Sequence, residues 1–298
     1  MTIAIAWIRQ LKDCEELIFV SDSRLSGDGR IFDACPKILM LPRTDCAISF
    51  AGFTGHAFPM MAQLGLAIDS YSPSRNRAVD IAPLKKHAIK IFNSMASFLR
   101  TSPRASAKQP EAPEADFIFG GYSWAQKCFR FWTLKYRDSE QSFVAAPPEW
   151  VRFSPQAKRI VLSKSERLSR SAKMGLVAFA GDQAPLARKL LLEKLNTKDN
   201  FRSLDMEPFE IVRDMLRDTT HSETIGGSPQ IIKVYQFMST APLGIFWPDR
   251  TTGTVHIHGR PCLGYENIDR WVLDPDTCVS TNLVYSPDTE EITTPDLE

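Results

Sequence analysis

Five residues within the first 52 positions carry groups that could take part in nucleophilic catalysis: Thr2, Asp22, Arg24, Lys37 and Gly52. A threonine hydroxyl is a weak nucleophile, and it becomes reactive only when a neighbouring base removes its proton. A cation and a carboxylate beside it would change how easily it ionises. Singly, each residue has a simpler interpretation, because Asp-Ser-Arg after a strand forms a turn and a glycine before a helix serves turn geometry. The five are therefore informative only in combination.

The segments that hold these residues have the pattern of strands. Residues 2–9 alternate, with Ile3, Ile5 and Trp7 on one face, as expected for a strand. A turn through "LKDCEE" leads to a second strand, "LIFVSDS", so that the first two strands form a hairpin. The stretches "DGRIFDACPKILML" and "DCAISFAG" predict two further short strands. All five candidate residues then lie at strand ends or strand starts.

The rest of the chain alternates between pairs of helices and runs of strands. After Thr54 the apolar spacing predicts two helices, in "TGHAFPMMAQLGLAIDSY" and "IAPLKKHAIKIFNSMASFLR". Strands in "DFIFGGY", "KCFRFWTLKY" and "KMGLVAFAG" precede a second helix pair, the first of which begins with Asp182 as its predicted N-cap. Three strands follow. This order does not suit a doubly wound parallel sheet. It predicts an α+β fold, a four-layer αββα sandwich of two antiparallel sheets flanked by helix pairs.

The predicted domain organisation is a single domain followed by an extension. Residues 1–260 contain all the predicted helices and strands. Residues 261–298 are rich in Asp, Thr, Glu and Pro and show neither a helix nor a strand period, so they are predicted to form a C-terminal extension.

The N-terminal part of the chain resembles the β-type subunits of the proteasome and their bacterial relatives, which belong to the N-terminal-nucleophile (Ntn) hydrolase superfamily. Three features carry the resemblance: the start "TIAIA", the "SDSR" that closes the second strand, and a "K-I" strand followed 15 residues later by "FAG-x-T-G-x-A". Beyond about residue 70 the resemblance is one of element order. It implies the Ntn-hydrolase form of the sandwich predicted above.

The resemblance also implies a role for each candidate residue. Removal of Met1 would make Thr2 the N-terminal residue, and its hydroxyl would attack a peptide carbonyl to form an acyl-enzyme. The freed α-amino group, with a pKa of about 7.7–8.0 in model peptides, would act as the base. Lys37 would lower the pKa of the hydroxyl and relay protons, with Asp22 as its counter-charge and Arg24 as a supporting partner.

Further implications concern the oxyanion, cofactors and partners. The backbone N–H of Gly52 would face the developing oxyanion, a contact whose loss typically costs about 10²–10³ in rate. No metal ion or organic cofactor is expected, because the amine supplies the base. Relatives assemble into rings, so the resemblance implies a homo-oligomeric ring acting on peptides or unfolded proteins, with any unfoldase partner unidentified.

The chain departs from the family pattern in four places, one of which is a gap between Asp22 and Lys37 that is one residue shorter than usual. The hairpin between Thr2 and Asp22 is longer than usual. Where the family has a Ser-Gly near the N-terminal amine, this chain has "FAGDQAP", with Asp182 in place of the serine. The family's second Asp and its nearby Ser fall in a loop whose nearest match is "HSETIGGSP", and the candidates there are Ser222, Glu223 and Ser228.

Composition excludes several classes of protein. Of 298 residues, 43% are hydrophobic and 24% are charged, which is ordinary for a globular protein. A net charge of +1 argues against electrostatically driven binding to nucleic acid or to a membrane surface. No run of about 18 apolar residues predicts a membrane-spanning helix, and the N-terminus does not resemble a signal peptide. The six widely spaced cysteines indicate reduced thiols in the cytoplasm and argue against a zinc site.

The sequence therefore predicts a threonine-type endopeptidase or amide hydrolase. Three alternatives stay open. The first is a small-amide hydrolase with the same nucleophile in a closed pocket. The second is a non-catalytic structural or interaction subunit, which the absence of the serine at position 182 favours. The third is an unrelated α+β binding protein in which Thr2, Asp22 and Lys37 do not converge.

Overall fold

The computed structural model of the chain describes residues 2–27, 29–99, 112–164, 173–199, 201–218, 220, 224–266 and 268–285. Six strands come first: β1 (Ala4–Gln10), β2 (Glu15–Ser21), β3 (Leu25–Gly27), β4 (Arg30–Phe32), β5 (Ile38–Met40) and β6 (Cys46–Gly52). Three helices follow: α1 (Thr54–Ser70), α2 (Ser72–Arg75) and α3 (Ile81–Ala96).

The second half of the chain has the same alternation. Its first strands are β7 (Ala115–Ser123), β8 (Cys128–Arg137), β9 (Ser142–Ala146), β10 (Glu149–Ser154), β11 (Arg159–Ser163) and β12 (Lys173–Ala180). Two helices come next: α4 (Ala184–Asn196) and α5 (Glu207–Arg217). The last strands are β13 (Gln230–Tyr235), β14 (Ser239–Trp247), β15 (Thr254–Ile257), β16 (Arg260–Pro261), β17 (Ile268–Leu273) and β18 (Ser280–Tyr285).

The described strands form one mostly antiparallel sheet, one antiparallel sheet and one separate hairpin. The large sheet has eleven strands and runs in the order β11-β10-β12-β1-β2-β13-β14-β15-β16, while β17 joins it by pairing with β14 and carries β18. The pairing of β14 with β17 is parallel. The second sheet is a five-stranded meander, β5-β6-β7-β8-β9. Strands β3 and β4 pair only with each other, as a two-stranded sheet.

Strand β1 lies inside the large sheet, between β2 and β12. The alternation predicted from the sequence decides which face each of its side chains takes. Ile3, Ile5 and Trp7 pack against α4 and α5. Ala4 and Ala6 point the other way, into the apolar layer shared with the five-stranded sheet. Small alanines there let the two sheets approach closely.

The helices pack their apolar faces on the sheets. Helix α3 buries Ile81, Leu84, Ala88 and Phe92 at helical spacing, and together with α1 it covers the five-stranded sheet. Helices α4 and α5 make their main contacts with β1, β2, β11 and β12. Strands β14–β18 extend the large sheet well beyond these four strands, so α4 and α5 do not form a full layer over it.

The predicted four-layer αββα sandwich is therefore wrong. The chain is a mostly antiparallel β protein, with about 40% of its residues in strands and 25% in helices. The described part holds only five helices, one of them four residues long, beside two large sheets. The sequence pattern underestimated the strands, because β9, β10, β11, β17 and β18 do not have strong period-2 alternation. Each pairs with the strand next to it in the chain, and β10 and β17 also pair with β12 and β14.

The predicted C-terminal extension contributes to the large sheet. Residues 268–285 form β17 and β18, with Ile268 opposite Tyr285 and Leu273 opposite Ser280. Val272 and Leu273 are buried. The expectation that this stretch lacks strands is corrected as far as residue 285, and the rest of the predicted extension lies outside the described residues.

Two further properties bear on the class of protein. In the part of the chain that the structure describes, no helix combines the length and the apolar character that crossing a membrane requires. All six cysteines are unpaired.

Replacing Phe117 by alanine should lower the free energy of unfolding by about 3–5 kcal/mol, because its ring packs against Phe92 at 4.6 Å and Phe143 at 5.9 Å between centroids. Denaturant unfolding of the purified protein measures the change. The matched control is Phe98→Ala, since Phe98 is 75% exposed and its loss should change stability by about 0.5 kcal/mol or less. Equal effects of the two substitutions would contradict the packing described here.

Candidate active site

Thr2 lies just before β1 and is 1% exposed. Continuing the alternation of β1 backwards places Thr2 on the same side as Ala4 and Ala6, facing the five-stranded sheet. The pairing of β1 with β2 sets Ile3 beside Asp22, whose backbone N–H donates to Ile3 O at 3.4 Å. The predicted nucleophile and the predicted carboxylate therefore lie at adjacent strand ends.

Lys37 joins these two residues. Its Nζ donates to Thr2 Oγ1 at 2.9 Å, and to Asp22 Oδ1 at 2.9 Å and Oδ2 at 3.0 Å. The side chains of Lys37 and Asp22 are fully buried. The structure thus brings together three of the residues selected from the sequence, although they come from three separate segments.

The carboxylate of Asp22 is surrounded by donors. Besides the lysine, Ile3 N–H donates to Oδ1 at 3.2 Å and Arg24 N–H donates to Oδ2 at 3.1 Å. Burial raises the pKa of Asp22, while the Lys37 ammonium and the two backbone N–H groups act in the opposite direction. Each oxygen has two donors, as a buried carboxylate requires.

Gln230, at the start of β13, is hydrogen-bonded through its side chain to the backbone of both members of this ion pair. Its Oε1 accepts from Lys37 N–H at 2.9 Å, and its Nε2 donates to Cys35 O at 2.6 Å and to Asp22 O at 3.2 Å. Burial also raises the pKa of the Cys35 thiol, to about 11. Sequence reasoning missed Gln230. The one available signal was an amide side chain directly before the apolar run "IIKVY".

Arg24 contributes in a different way from the one expected. Its guanidinium binds Asp33 through Nε–Oδ1 and Nη2–Oδ2 contacts of 2.6 Å each. Only its backbone N–H is hydrogen-bonded to Asp22. The side chain predicted to support the buried pair therefore belongs to the rim of the neighbouring cleft.

Gly52 ends β6 in a conformation that favours glycine. Its φ is +110°, and a Cβ at this position would collide with the carbonyl oxygen of Glu114. Two residues earlier, Phe50 N–H donates to Lys37 O at 3.1 Å. Because backbone N–H groups alternate along a strand, the N–H of Gly52 points to the same edge as that of Phe50, where β5 does not continue. That edge faces the cleft described next.

Thr2 and Gly52 line one cleft of about 900 Å³. Hairpin β3–β4 forms one of its walls, with Ile31 and Phe32 about 60% exposed, and Phe53 contributes a further exposed ring. Thr2, whose hydroxyl Lys37 contacts, is thus among the residues that line a space large enough for a substrate segment.

Asp182 lines the same cleft. It follows β12 on one side of β1, whereas Asp22 follows β2 on the other side. Thr2 N–H donates to Asp182 Oδ1 at 2.6 Å. The prediction of Asp182 as the N-cap of α4 is wrong, because the N-cap is Gln183, whose side chain makes no capping hydrogen bond. The carboxylate is engaged with Thr2 instead.

The remaining candidates are less informative. Ser228 is buried, and its carbonyl accepts from Ser23 Oγ at 2.8 Å, but in the part of the chain that is described its own Oγ has no hydrogen-bond partner. Ser222, Glu223 and Met1 lie outside the described residues. No three side chains of His, Cys, Asp or Glu among the described residues are grouped so as to bind one metal ion.

No protein-family model matches the chain, and no curated protein matches it in sequence. The functional interpretation therefore depends on the geometry of Thr2, Lys37 and Asp22.

Replacing Asp22 by asparagine should lower the free energy of unfolding by about 3–5 kcal/mol, because the buried Lys37 ammonium loses its counter-ion. Denaturant unfolding again measures the change. The control is Asp33→Asn, which removes the partner of Arg24 at the cleft rim and should cost about 1 kcal/mol or less. A loss of under about 1 kcal/mol for Asp22→Asn would show that the buried pair is not charged as described.

Proposed function

We propose that this chain is a threonine-type amide hydrolase that cleaves peptide bonds through an acyl-enzyme on Thr2, after the bond between Met1 and Thr2 has been cut. The observation that carries the proposal is the position of Lys37 Nζ, 2.9 Å from both Thr2 Oγ1 and Asp22 Oδ1. The proposal continues the resemblance to proteasome-like Ntn hydrolases stated from the sequence.

The proposed reaction uses groups already placed around the cleft. The freed α-amino group of Thr2 accepts the hydroxyl proton as Oγ1 bonds to the substrate carbonyl carbon. The carbonyl oxygen becomes an oxyanion opposite the N–H of Gly52. The adduct then collapses, the C–N bond breaks, and the proton passes to the departing amine. Water, deprotonated by the same α-amino group, hydrolyses the ester and restores Thr2.

Lys37 stabilises the charged forms in this sequence. An ammonium in hydrogen-bond contact with the hydroxyl favours the alkoxide and so lowers the pKa of the hydroxyl. Asp22 supplies the counter-charge of this buried ammonium, with its Oδ1 2.9 Å from Lys37 Nζ.

A purely structural ion pair is the simpler alternative, and two features argue against it. Burying both charges costs several kcal/mol per ion, and apolar side chains of similar volume often replace such pairs without loss of stability. In addition, the third hydrogen bond of Lys37 goes to a hydroxyl at a cleft wall, where it adds little to packing.

The shape of the cleft favours a peptide over a small amide. About 900 Å³ is at the upper end of the range for small-molecule pockets, and its rim carries exposed apolar side chains. An extended peptide with large apolar side chains fits this surface. The homo-oligomeric ring belongs to the same proposal and is supported by the resemblance, and the proposed cytoplasmic location is supported by the six widely spaced cysteines.

Thr2→Ala should reduce cleavage of fluorogenic peptides to the level of the buffer, a loss of about 10⁴-fold or more, because the attacking oxygen is gone. Thr2→Ser keeps a hydroxyl and should retain measurable turnover. The measurement compares both variants with the wild type on peptides and on small acyl-amides. Unchanged turnover in Thr2→Ala would disprove the assignment, and a preference for acyl-amides would favour the closed-pocket alternative.

The intact mass of the purified protein should be lower than the encoded mass by one methionine residue, because the proposed base exists only when Thr2 is the first residue. A threonine-reactive electrophile should then add once per chain, at residue 2. Quantitative retention of Met1, with no adduct, would favour the non-catalytic alternative. Thr2→Ala treated with the same electrophile controls for reaction at other sites.

A further inference from the structure

Asp182 is a charged residue that the proposed reaction does not yet use, and it touches the nitrogen that would become the base. Thr2 N–H donates to its Oδ1 at 2.6 Å, a contact between residues 180 positions apart. The same nitrogen becomes an ammonium group when the preceding bond is cut. A carboxylate is then already placed against it.

The fold holds this carboxylate in position. Strands β1 and β12 pair with Ala4 opposite Ala180, and continuing that register by two residues sets Thr2 opposite Asp182. Gly181, which joins Ala180 to Asp182, has a φ of +101°, and a Cβ there would collide with the carbonyl oxygen of Thr2. The backbone of residue 181 can approach Thr2 only because it is glycine.

We propose that Asp182 binds the α-amino group of Thr2 in the processed chain and keeps it charged up to alkaline pH. The inference depends on the proposed function in one respect, the cleavage before Thr2. Asp182 is a positioning residue in this proposal, since it acts on the substrate only through the Thr2 nitrogen.

The other charges around Thr2 do not replace this contact. Lys37 opposes the ammonium charge, but its own charge is compensated by Asp22 at 2.9 Å. Arg24 is paired with Asp33. Gln183 Nε2 donates to the second oxygen of Asp182 at 3.4 Å. The remaining titratable side chains that line the cleft are Arg30, Glu114, Asp116 and Tyr136.

The expected consequence is a shift of the pH range in which the chain hydrolyses its substrate. An opposite charge in contact favours the charged form, so Asp182 raises the pKa of the Thr2 α-amino group above the usual 7.7–8.0. Only the neutral amine accepts the hydroxyl proton. Hydrolysis should therefore increase with pH until the amine has lost its proton, and removal of the carboxylate should move that increase to lower pH.

The test uses the full chain with Thr2 as its first residue, prepared by removing an N-terminal fusion with a protease that cleaves directly before Thr2. Brief treatment with acetic anhydride across a pH series acetylates only the neutral amine, and mass spectrometry of the N-terminal peptide gives its pKa. Hydrolysis of a fluorogenic peptide is followed over the same pH series.

We expect a wild-type amine pKa about one unit above the usual range, and a return to that range in both Asp182→Asn and Asp182→Ser. The acidic limb of kcat/KM should move to lower pH in the same two variants. The control is Asp116→Asn, because Asp116 lines the cleft but is paired with Lys135 at 2.6 Å, and the amine pKa should not change.

A wild-type amine pKa in the usual range, or one that the Asp182 substitutions leave unchanged, would overturn the inference even if peptides are hydrolysed. A raised amine pKa that depends on Asp182 would support it even if no amide is hydrolysed, and that result would count against the proposed function alone. The two proposals can therefore fail separately.

Discussion

The contact of one buried ammonium with a hydroxyl and a carboxylate is the interaction on which the rest of the site depends. Lys37 can reach Thr2 and Asp22 only because β1 and β2 end side by side and the segment before β5 passes beneath them. Two buried charges are costly, and the structure offsets that cost with the backbone N–H groups of Ile3 and Arg24. The site is thus part of the packing between the sheets.

The same interaction explains why so many small residues and glycines surround Thr2. Ala4 and Ala6 let the sheets approach, Gly181 lets the loop after β12 touch the Thr2 carbonyl, and Gly52 lets the end of β6 lie against the Glu114 carbonyl. A larger side chain at either glycine would push the backbone away from its neighbour. Close backbone approach is therefore the common requirement of this end of the molecule.

Local patterns predicted the strands that carry the site, because alternation in β1 and β2 is read directly from the sequence. The residues that meet there, Thr2, Asp22 and Lys37, were selected through the resemblance and not through the alternation. They failed where structure depends on distant partners. Strand β17 joins the large sheet by pairing with β14, besides its hairpin with β18, and nothing in the Asp- and Thr-rich tail signals this pairing. Gln230 was missed for the same reason. The pairing of Arg24 with Asp33 was missed because it depends on the short hairpin β3–β4, which brings the two residues together. The predicted layer architecture was wrong because these unpredicted strands change the balance between sheet and helix.

Strand pairing also indicates which parts of the site are rigid and which can move. Strand β1 is hydrogen-bonded on both sides inside the large sheet, so opening it requires nearly global unfolding, and its amide hydrogens should be among the last to exchange with solvent. Among the described strands, β3 and β4 pair only with each other, and an isolated two-stranded hairpin is only marginally stable. This wall of the cleft can therefore move more easily than β1, while the Thr2 hydroxyl stays in contact with Lys37.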